Sequence, residues 1–198
     1  MSNSSTTGLI LLAAGSSRRL GQPKQLLEFR KKPLLQHSID CANRVPFDSC
    51  LLILGSNSQI ITKRIVPGNF QVLLNEAWEE GVASSIHFGL SELIAKSPGI
   101  ENVLFLLSDQ PYLSTSHLNR LLTEHEMGIT ASAYAGEIGV PVIFNRTYFD
   151  ELLFLDGDQG AKKIVMKHRN KVKIVPFKGG EMDIDTMEDY DRLRGLDH

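Results

Sequence analysis

Leu11 to Leu27, LLAAGSSRRLGQPKQLL, holds the chain's densest set of residues able to do chemistry. An apolar run passes directly into Ala13, Ala14, Gly15, Ser16 and Ser17. Arg18, Arg19 and Lys24 follow, with Gly21 and Pro23 shaping the bend. Small residues let backbone N–H groups approach a phosphate, and the cations neutralise its charge, so the pattern predicts an anion cradle. Its spacing excludes two common cradles. A P-loop needs four residues between its glycines and then Lys-Ser/Thr, whereas Gly15 and Gly21 enclose five and Gln22-Pro23-Lys24 follows. A dinucleotide fingerprint needs G-x-G, and no two glycines here lie two apart. The plainer reading is a basic surface turn after a strand.

Carboxylates supply the second chemical element. The apolar run from Leu104 ends at Ser108-Asp109, with Gln110-Pro111 after it. Next to a phosphate cradle, such a carboxylate suits Mg²⁺, a hard ion that takes oxygen ligands and often only one or two protein carboxylates. Asp109 also fits a turn or helix cap, and Arg19 and Lys24 favour the metal reading. Farther on, GGEMDIDTMEDY places Asp183 and Asp185 two apart, on one face if the backbone is extended. A plain N-cap aspartate is the alternative there.

The elements that must position these residues follow from hydrophobic patterning. Leu9–Ala13, Cys50–Leu54, Gln71–Leu74 and Val103–Leu107 are brief, apolar and bounded by polar or turn residues, as buried strands are. Helical periodicity marks Pro33–Val45, Gly81–Ala95 and Thr115–Met127, the last behind a capping Ser114 or Thr115. This alternation predicts a parallel sheet covered on both faces, with the cradle at its carboxyl edge. Beyond residue 128 the rhythm changes. Ile129–Tyr134 and Val140–Phe144 are expected to pair antiparallel around a Gly136–Gly139 turn, before a helix near Gln159–His168, a strand Lys171–Val175 and a last helix from Thr186. The expected result is a three-layer α/β/α, Rossmann-like domain with a mostly parallel mixed sheet, spanning 8–198 behind a polar, flexible tail over 1–7.

Composition narrows the function classes. The 198 residues carry 21 Lys and Arg against 23 Asp and Glu, a net charge of −2, which excludes a broadly basic nucleic-acid binder. With 42% hydrophobic residues, a chain of this length buries a sizeable core and is not disordered. Cys41 and Cys50 form no C-x-x-C, and the six histidines contain no H-x-x-x-H pair, so neither a disulfide framework nor a thiolate or histidine metal site is signalled. No apolar run approaches a membrane span, and MSNSSTTG lacks the basic start of a signal peptide. A cytoplasmic location is expected, without nucleic-acid or membrane partners.

Leu12, Ala13, Ala14, Gly15, Ser17, Arg19, Gly21 and Lys24 together resemble the L-A-A-G-x-S-x-R-M-G-x-x-K signature of the MobA-like nucleotidyltransferases, with Leu20 in place of methionine. The likeness is greatest to the molybdenum cofactor cytidylyltransferases and continues along nearly the whole chain. NEAWEEGVASSIHFGL, from Asn75, is similar to the family's N-x-x-W-x-x-G-x-x-x-S segment. In it Gly81, Ser84 and Ser85 stand at a helix entrance, and Trp78 reads as either packing anchor or ligand contact. The resemblance implies a nucleotidyltransferase fold and a nucleotide site built from Leu12, Ala13, Ala14, Gly15, Ser16, Ser17, Arg19, Lys24, Asn75, Gly81, Ser84, Ser85 and Asp109. Arg19, Lys24 and Asp109 would be catalytic, and Asp109 and Asp185 would bind Mg²⁺. Gln110 and Pro111, with Gly139 and Pro141 in one stretch and Gly157, Asp158, Gly160 and Ala161 in another, would line the acceptor side. The implied reaction transfers CMP from CTP to the terminal phosphate of Mo-molybdopterin, releasing diphosphate, with a molybdoenzyme such as xanthine dehydrogenase as recipient. Three alternatives stand beside it: a GTP-dependent guanylyltransferase, a cytidylyltransferase for methylerythritol phosphate or a sugar (to which Pro23-Lys24-Gln25 is also similar), and a non-catalytic nucleotide-binding accessory protein.

Overall fold

The computed structural model describes residues 5–195. Its elements in chain order are β1 (Thr7–Ala13), β2 (Glu28–Phe29), β3 (Lys32–Pro33), α1 (Leu34–Ala42), β4 (Ser49–Leu54), α2 (Ser58–Thr62), β5 (Gln71–Leu74), α3 (Val82–Lys96), β6 (Asn102–Leu107), α4 (Thr115–Glu124), β7 (Ile129–Tyr134), β8 (Glu137–Asn145), α5 (Phe149–Leu153), α6 (Lys162–Lys167), β9 (Val172–Pro176) and α7 (Met187–Gly195). The main sheet has the order β5-β4-β1-β6-β8-β7-β9. β8 pairs antiparallel with both β6 and β7 and runs against the other strands, while β2 and β3 form a separate hairpin.

β1 is buried along its whole length, as an interior parallel strand covered on both faces must be. Its residues alternate between two apolar layers. Leu9, Leu11 and Ala13 pack with Leu35 and Ile39 of α1 and Leu118 and Leu121 of α4, whereas Ile10 and Leu12 meet Ile86 and Leu90 of α3. The second layer also takes in α5 and α6 through Leu152 and Ile164. Each fully buried Leu or Ile contributes about 1.5–3 kcal/mol. A third, smaller cluster of Leu20, Leu27, Phe29, Leu34, Ile184 and Leu193 ties the segment after β1 to the C-terminal helix.

The three-layer, mostly parallel mixed sheet is as patterning predicts; local boundaries differ. Residues 1–4 of the expected tail lie outside the described residues. Its other end is strand, because Thr7 donates its N–H to Asp48 Oδ2 at 2.7 Å and Thr6 Oγ1 donates to Gly99 O at 2.8 Å. The expected Gly136–Gly139 turn contracts to Ala135-Gly136, both at positive φ, since a two-residue hairpin turn of that hand matches strand twist. Gly139 therefore sits within β8, where an added Cβ would meet Tyr134 Oη at 2.5 Å. β2, β3, α2 and α5 are too short to leave a periodic signal.

Two buried histidines give this fold an acid-sensitive edge. His117 Nε2 lies 2.8 Å from Ser132 Oγ, and its ring stacks on Phe177. His125 bridges Thr130 Oγ1 and Asn102 Oδ1. Burial lowers each to about 4, reinforced by Arg120 for His117 and by Lys173 for His125. An unfolded histidine titrates near 6.5, so between that value and about 4 the unfolded chain binds more protons. Their contribution to stability is thus fully present above pH 6.5 and declines as pH falls towards 4. Thermal midpoints measured across this window are expected to fall less steeply for His117→Gln than for the wild type; parallel curves would contradict the assignment.

Candidate active site

Order within the sheet reverses at β1: β4 follows it on one side and β6 lies on the other. Open α/β sheets bind ligands at the carboxyl ends of strands around such a switch point. Leu12 of β1 pairs with Leu107 of β6, so Ala13-Ala14-Gly15 and Ser108-Asp109 leave the sheet side by side. Between them opens a cavity of about 440 Å³, a size usual for small-ligand sites. Leu12, Ala13, Ala14, Gly15, Ser16 and Lys24 line one side, while Ser85, Gly81, Asp109 and Asp158 complete the expected residues on its wall.

Local physics shapes the cradle. Ser17 is left-handed at φ 54, an uncommon conformation that side chains other than Gly, Asn and Asp enter at a cost, and its Oγ accepts the Lys24 N–H at 3.0 Å. This folds the basic bend back so that Lys24 Nζ reaches Asp109 Oδ2 at 2.5 Å and Asp185 Oδ1 at 3.3 Å. Burial of Lys24 opposes its charge, but Asp109 and then Asp185 outweigh that effect and hold the ammonium's pKa above the ordinary lysine value. Arg19 pairs with Asp185 Oδ2 at 2.8 Å. Buried Ile184 anchors the C-terminal segment against Leu20 and Leu27 and carries Asp183 and Asp185 to the cradle from more than 150 residues away in the chain. Asp183 titrates above an ordinary aspartate, first from desolvation and then from the like charges of Asp109 and Asp185.

One cation already touches two carboxylates here, and Asp109 Oδ1 is buried with no hydrogen-bond partner. Both features fit a divalent ion with oxygen ligands. Among the described residues no cluster of three or more His, Cys, Asp or Glu forms a ready-made metal cage. A two-carboxylate site completed by phosphate oxygens needs none.

Several expected residues stand off the cavity wall. Arg19 points to Asp185 with its side chain 70% exposed, and its neighbour Arg18 lines the cavity instead. Asn75 donates to Ser84 Oγ and Ser85 Oγ at 3.0 Å each and accepts the Ala77 N–H, so its amide holds the α3 entrance together. Ser84 itself donates to Gly81 O. On the expected acceptor side, only Asp158 reaches the wall. Gln110 donates to Val140 O, Pro141 is buried and accepts from Ser132, Gly157 O accepts from Ala83 N–H, and Ala161 belongs to the core; Pro111 is buried, and Gly160 sits against Val82. Gln110, Pro111, Pro141 and Ala161 are buried, and Gly157 and Gly160 are half-buried without lining the cavity.

Gln25, Trp78, Glu79, Val82, Leu107 and Ser108 also line the cavity, and sequence reasoning did not assign them to it. Trp78 left a signal, as the single tryptophan of the Asn75–Gly81 segment, and Gln25 stood in the Pro23-Lys24-Gln25 triplet. Trp78 is packing partner as well as wall, since a Cβ on Gly55 would come within 2.6 Å of its own Cβ.

A family model for the MobA-like NTP transferase domain matches residues 9–172. The chain belongs to this family. As a MobA-like protein it is 29% identical over 195 residues to the Purine catabolism protein PucB of Bacillus subtilis (strain 168), covering 93% of this chain and 94% of that one. It is 30% identical over 200 residues to Nicotine blue oxidoreductase of Paenarthrobacter nicotinovorans, again over 93% and 94%. The crystal structure of Rv0371c from Mycobacterium tuberculosis H37Rv superposes with a TM-score of 0.85 at 32% identity, covering 96% and 98% of the two chains. A structure of Rv0371c in complex with manganese matches at a TM-score of 0.76 and 29% identity, over 96% and 97%. Among the described residues of this MobA-like chain, no helix is long and apolar enough to cross a membrane.

Proposed function

We propose that this MobA-like protein transfers CMP from CTP to the terminal phosphate of Mo-molybdopterin and releases diphosphate, acting as one domain over 8–198 in the cytoplasm, where its triphosphate substrate is found. The observation that carries the reading is the Lys24 ammonium between Asp109 and Asp185, beside a loop of small residues at the sheet's switch point.

A phosphate monoester has a second pKa near 6 and is largely dianionic at neutral pH, so the acceptor needs no general base. Its oxygen attacks the α-phosphorus, and the bond from that phosphorus to the bridging oxygen of the departing diphosphate breaks. What the protein must supply is orientation and charge balance for two polyanions. The backbone N–H groups from Gly15 to Ser17 hold the phosphate chain in place. Lys24, released from its carboxylates, neutralises the charge that grows on the diphosphate, and Arg18 and Arg19 draw in the anions from the rim. Asp109 and Asp185 would hold Mg²⁺, which when bound supplies further neutralisation of the phosphates; the manganese complex of the tuberculosis relative supports a divalent ion.

Base choice rests on Ala14. The guanylyltransferase branch of the family carries glycine at this place, and the Ala14 methyl on the cavity wall leaves less room for a purine. One methyl discriminates by roughly 1–3 kcal/mol, about 10–200-fold. A relative named for purine catabolism supports a molybdoenzyme of the xanthine dehydrogenase type as recipient. Another relative's name denotes an oxidoreductase, but the ionic cradle and the lack of a dinucleotide fingerprint favour group transfer here. Diphosphate release measured with CTP, GTP, UTP and ATP, each with molybdenum-loaded molybdopterin, is expected to be fastest with CTP. A preference for GTP would refute the base assignment, and tight nucleotide binding without release would make the protein an accessory binder.

A further inference from the structure

Gln25 has no part in the chemistry above, yet it is 1% exposed on the cavity wall. Its Nε2 donates to Ala13 O and to Gly15 O, each at 2.9 Å. The carbonyl between them, Ala14 O, accepts the Ser56 N–H at 3.1 Å. Three consecutive carbonyls are thus held by donors from the protein. In a trans peptide plane the C=O of one residue and the N–H of the next point in opposite directions. Holding Ala14 O and Gly15 O therefore aims the N–H groups of Gly15 and Ser16 the other way, and neither has a protein acceptor among the described residues.

Gln25 Oε1 is buried without a hydrogen-bond partner. Reversing the amide would set that oxygen against two carbonyls, so electrostatics forbids the exchange. The two hydrogen bonds from Nε2 thus work against the desolvation cost of an unpartnered acceptor in the same side chain.

We propose that Gln25 is a positioning residue for the phosphate chain of the nucleotide: while Ser56 holds the Ala14 carbonyl, Gln25 holds those on either side of it and so keeps the Ser16 N–H turned towards the ligand. The inference rests on the nucleotidyltransferase reading and adds a residue to it. Lys24 and Gln25 then work as neighbours, one carrying the charge and the other setting the backbone that receives it.

The test measures binding of inorganic tripolyphosphate and of CTP by calorimetry, with KM and kcat for diphosphate release, in the full chain. Losing two neutral hydrogen bonds to the loop in Gln25→Leu is expected to weaken tripolyphosphate binding and raise the KM for CTP by about tenfold, with kcat changed much less. Gln25→Asn, one methylene shorter and able to reach at most one carbonyl, should fall between leucine and wild type. Gln25→Glu keeps the shape but offers only acceptors when ionised, so it should lose binding as leucine does, and it decides the matter if the leucine variant does not fold. A folded leucine or glutamate variant that binds tripolyphosphate within about twofold of wild type would overturn the proposal. Wild-type protein that binds neither tripolyphosphate nor CTP would overturn the nucleotide reading beneath it, a result distinct from unchanged binding in the variants.

Discussion

Asp109→Ala and Lys24→Ala are each expected to lower nucleotidyl transfer on the order of 100-fold or more, the scale seen when one preorganised charge is removed from a transition state that develops negative charge. The two losses have different origins. Without Asp109, Lys24 keeps only its 3.3 Å contact to Asp185, and the carboxylate suited to a divalent ion is gone. Without Lys24, Asp109 loses the ammonium that pairs with it while Asp185 keeps Arg19, and charge on the departing diphosphate loses the cation proposed to neutralise it. Because the residues share one network, the double variant should be much less than multiplicatively impaired. The check is diphosphate release with CTP and molybdenum-loaded molybdopterin, together with circular dichroism to establish that both variants fold. Near-wild-type turnover in either single variant would remove the proposed active site.

Gly81→Val should be the most damaging single change to the fold near the cavity. Gly81 has φ 102 and ψ 178, a region open essentially to glycine alone. An added Cβ would lie 2.3 Å from Gly157 O and 2.4 Å from Gly157 C, both backbone atoms that cannot swing aside. Strain and overpacking together predict a loss of roughly 2–5 kcal/mol. At about 2–4 °C per kcal/mol for a chain of this size, the thermal midpoint should fall well clear of measurement error. Gly21 supplies the internal comparison. It also has positive φ, at 66, but nothing lies within 4 Å of its missing Cβ. Gly21→Asn should therefore cost far less, because asparagine tolerates that conformation and meets no neighbour. Equal losses at the two glycines would show that backbone conformation, not the contact with Gly157, sets the cost.

Much of the molecule was legible in the amino-acid order because the signals are local. Parallel interior strands must be apolar on both faces, so β1, β4 and β6 stand out as short hydrophobic runs. The cradle is equally local: Ala13 to Lys24 is contiguous, and small residues followed by cations carry their meaning without a neighbour. The place of Asp109 just past the end of β6 was legible because the residue types there change from apolar to polar.

Residue order could not determine which side chains face the cavity. Arg18 and Arg19 are chemically alike, and only the left-handed turn at Ser17 and the position of Asp185 send Arg19 to the C-terminal segment while Arg18 borders the cavity. Asn75, Gln110, Pro141 and Gly157 look like ligand contacts in a motif, but each answers first to a backbone or side-chain group that would otherwise be buried unpaired. The meeting of Lys24 with Asp109 and Asp185 depends on strand order and on Ile184 seating in the third apolar cluster. Chemical capacity belongs to the residues and is written in their order; direction and proximity arise from long-range packing, which brings together groups that are far apart in the chain.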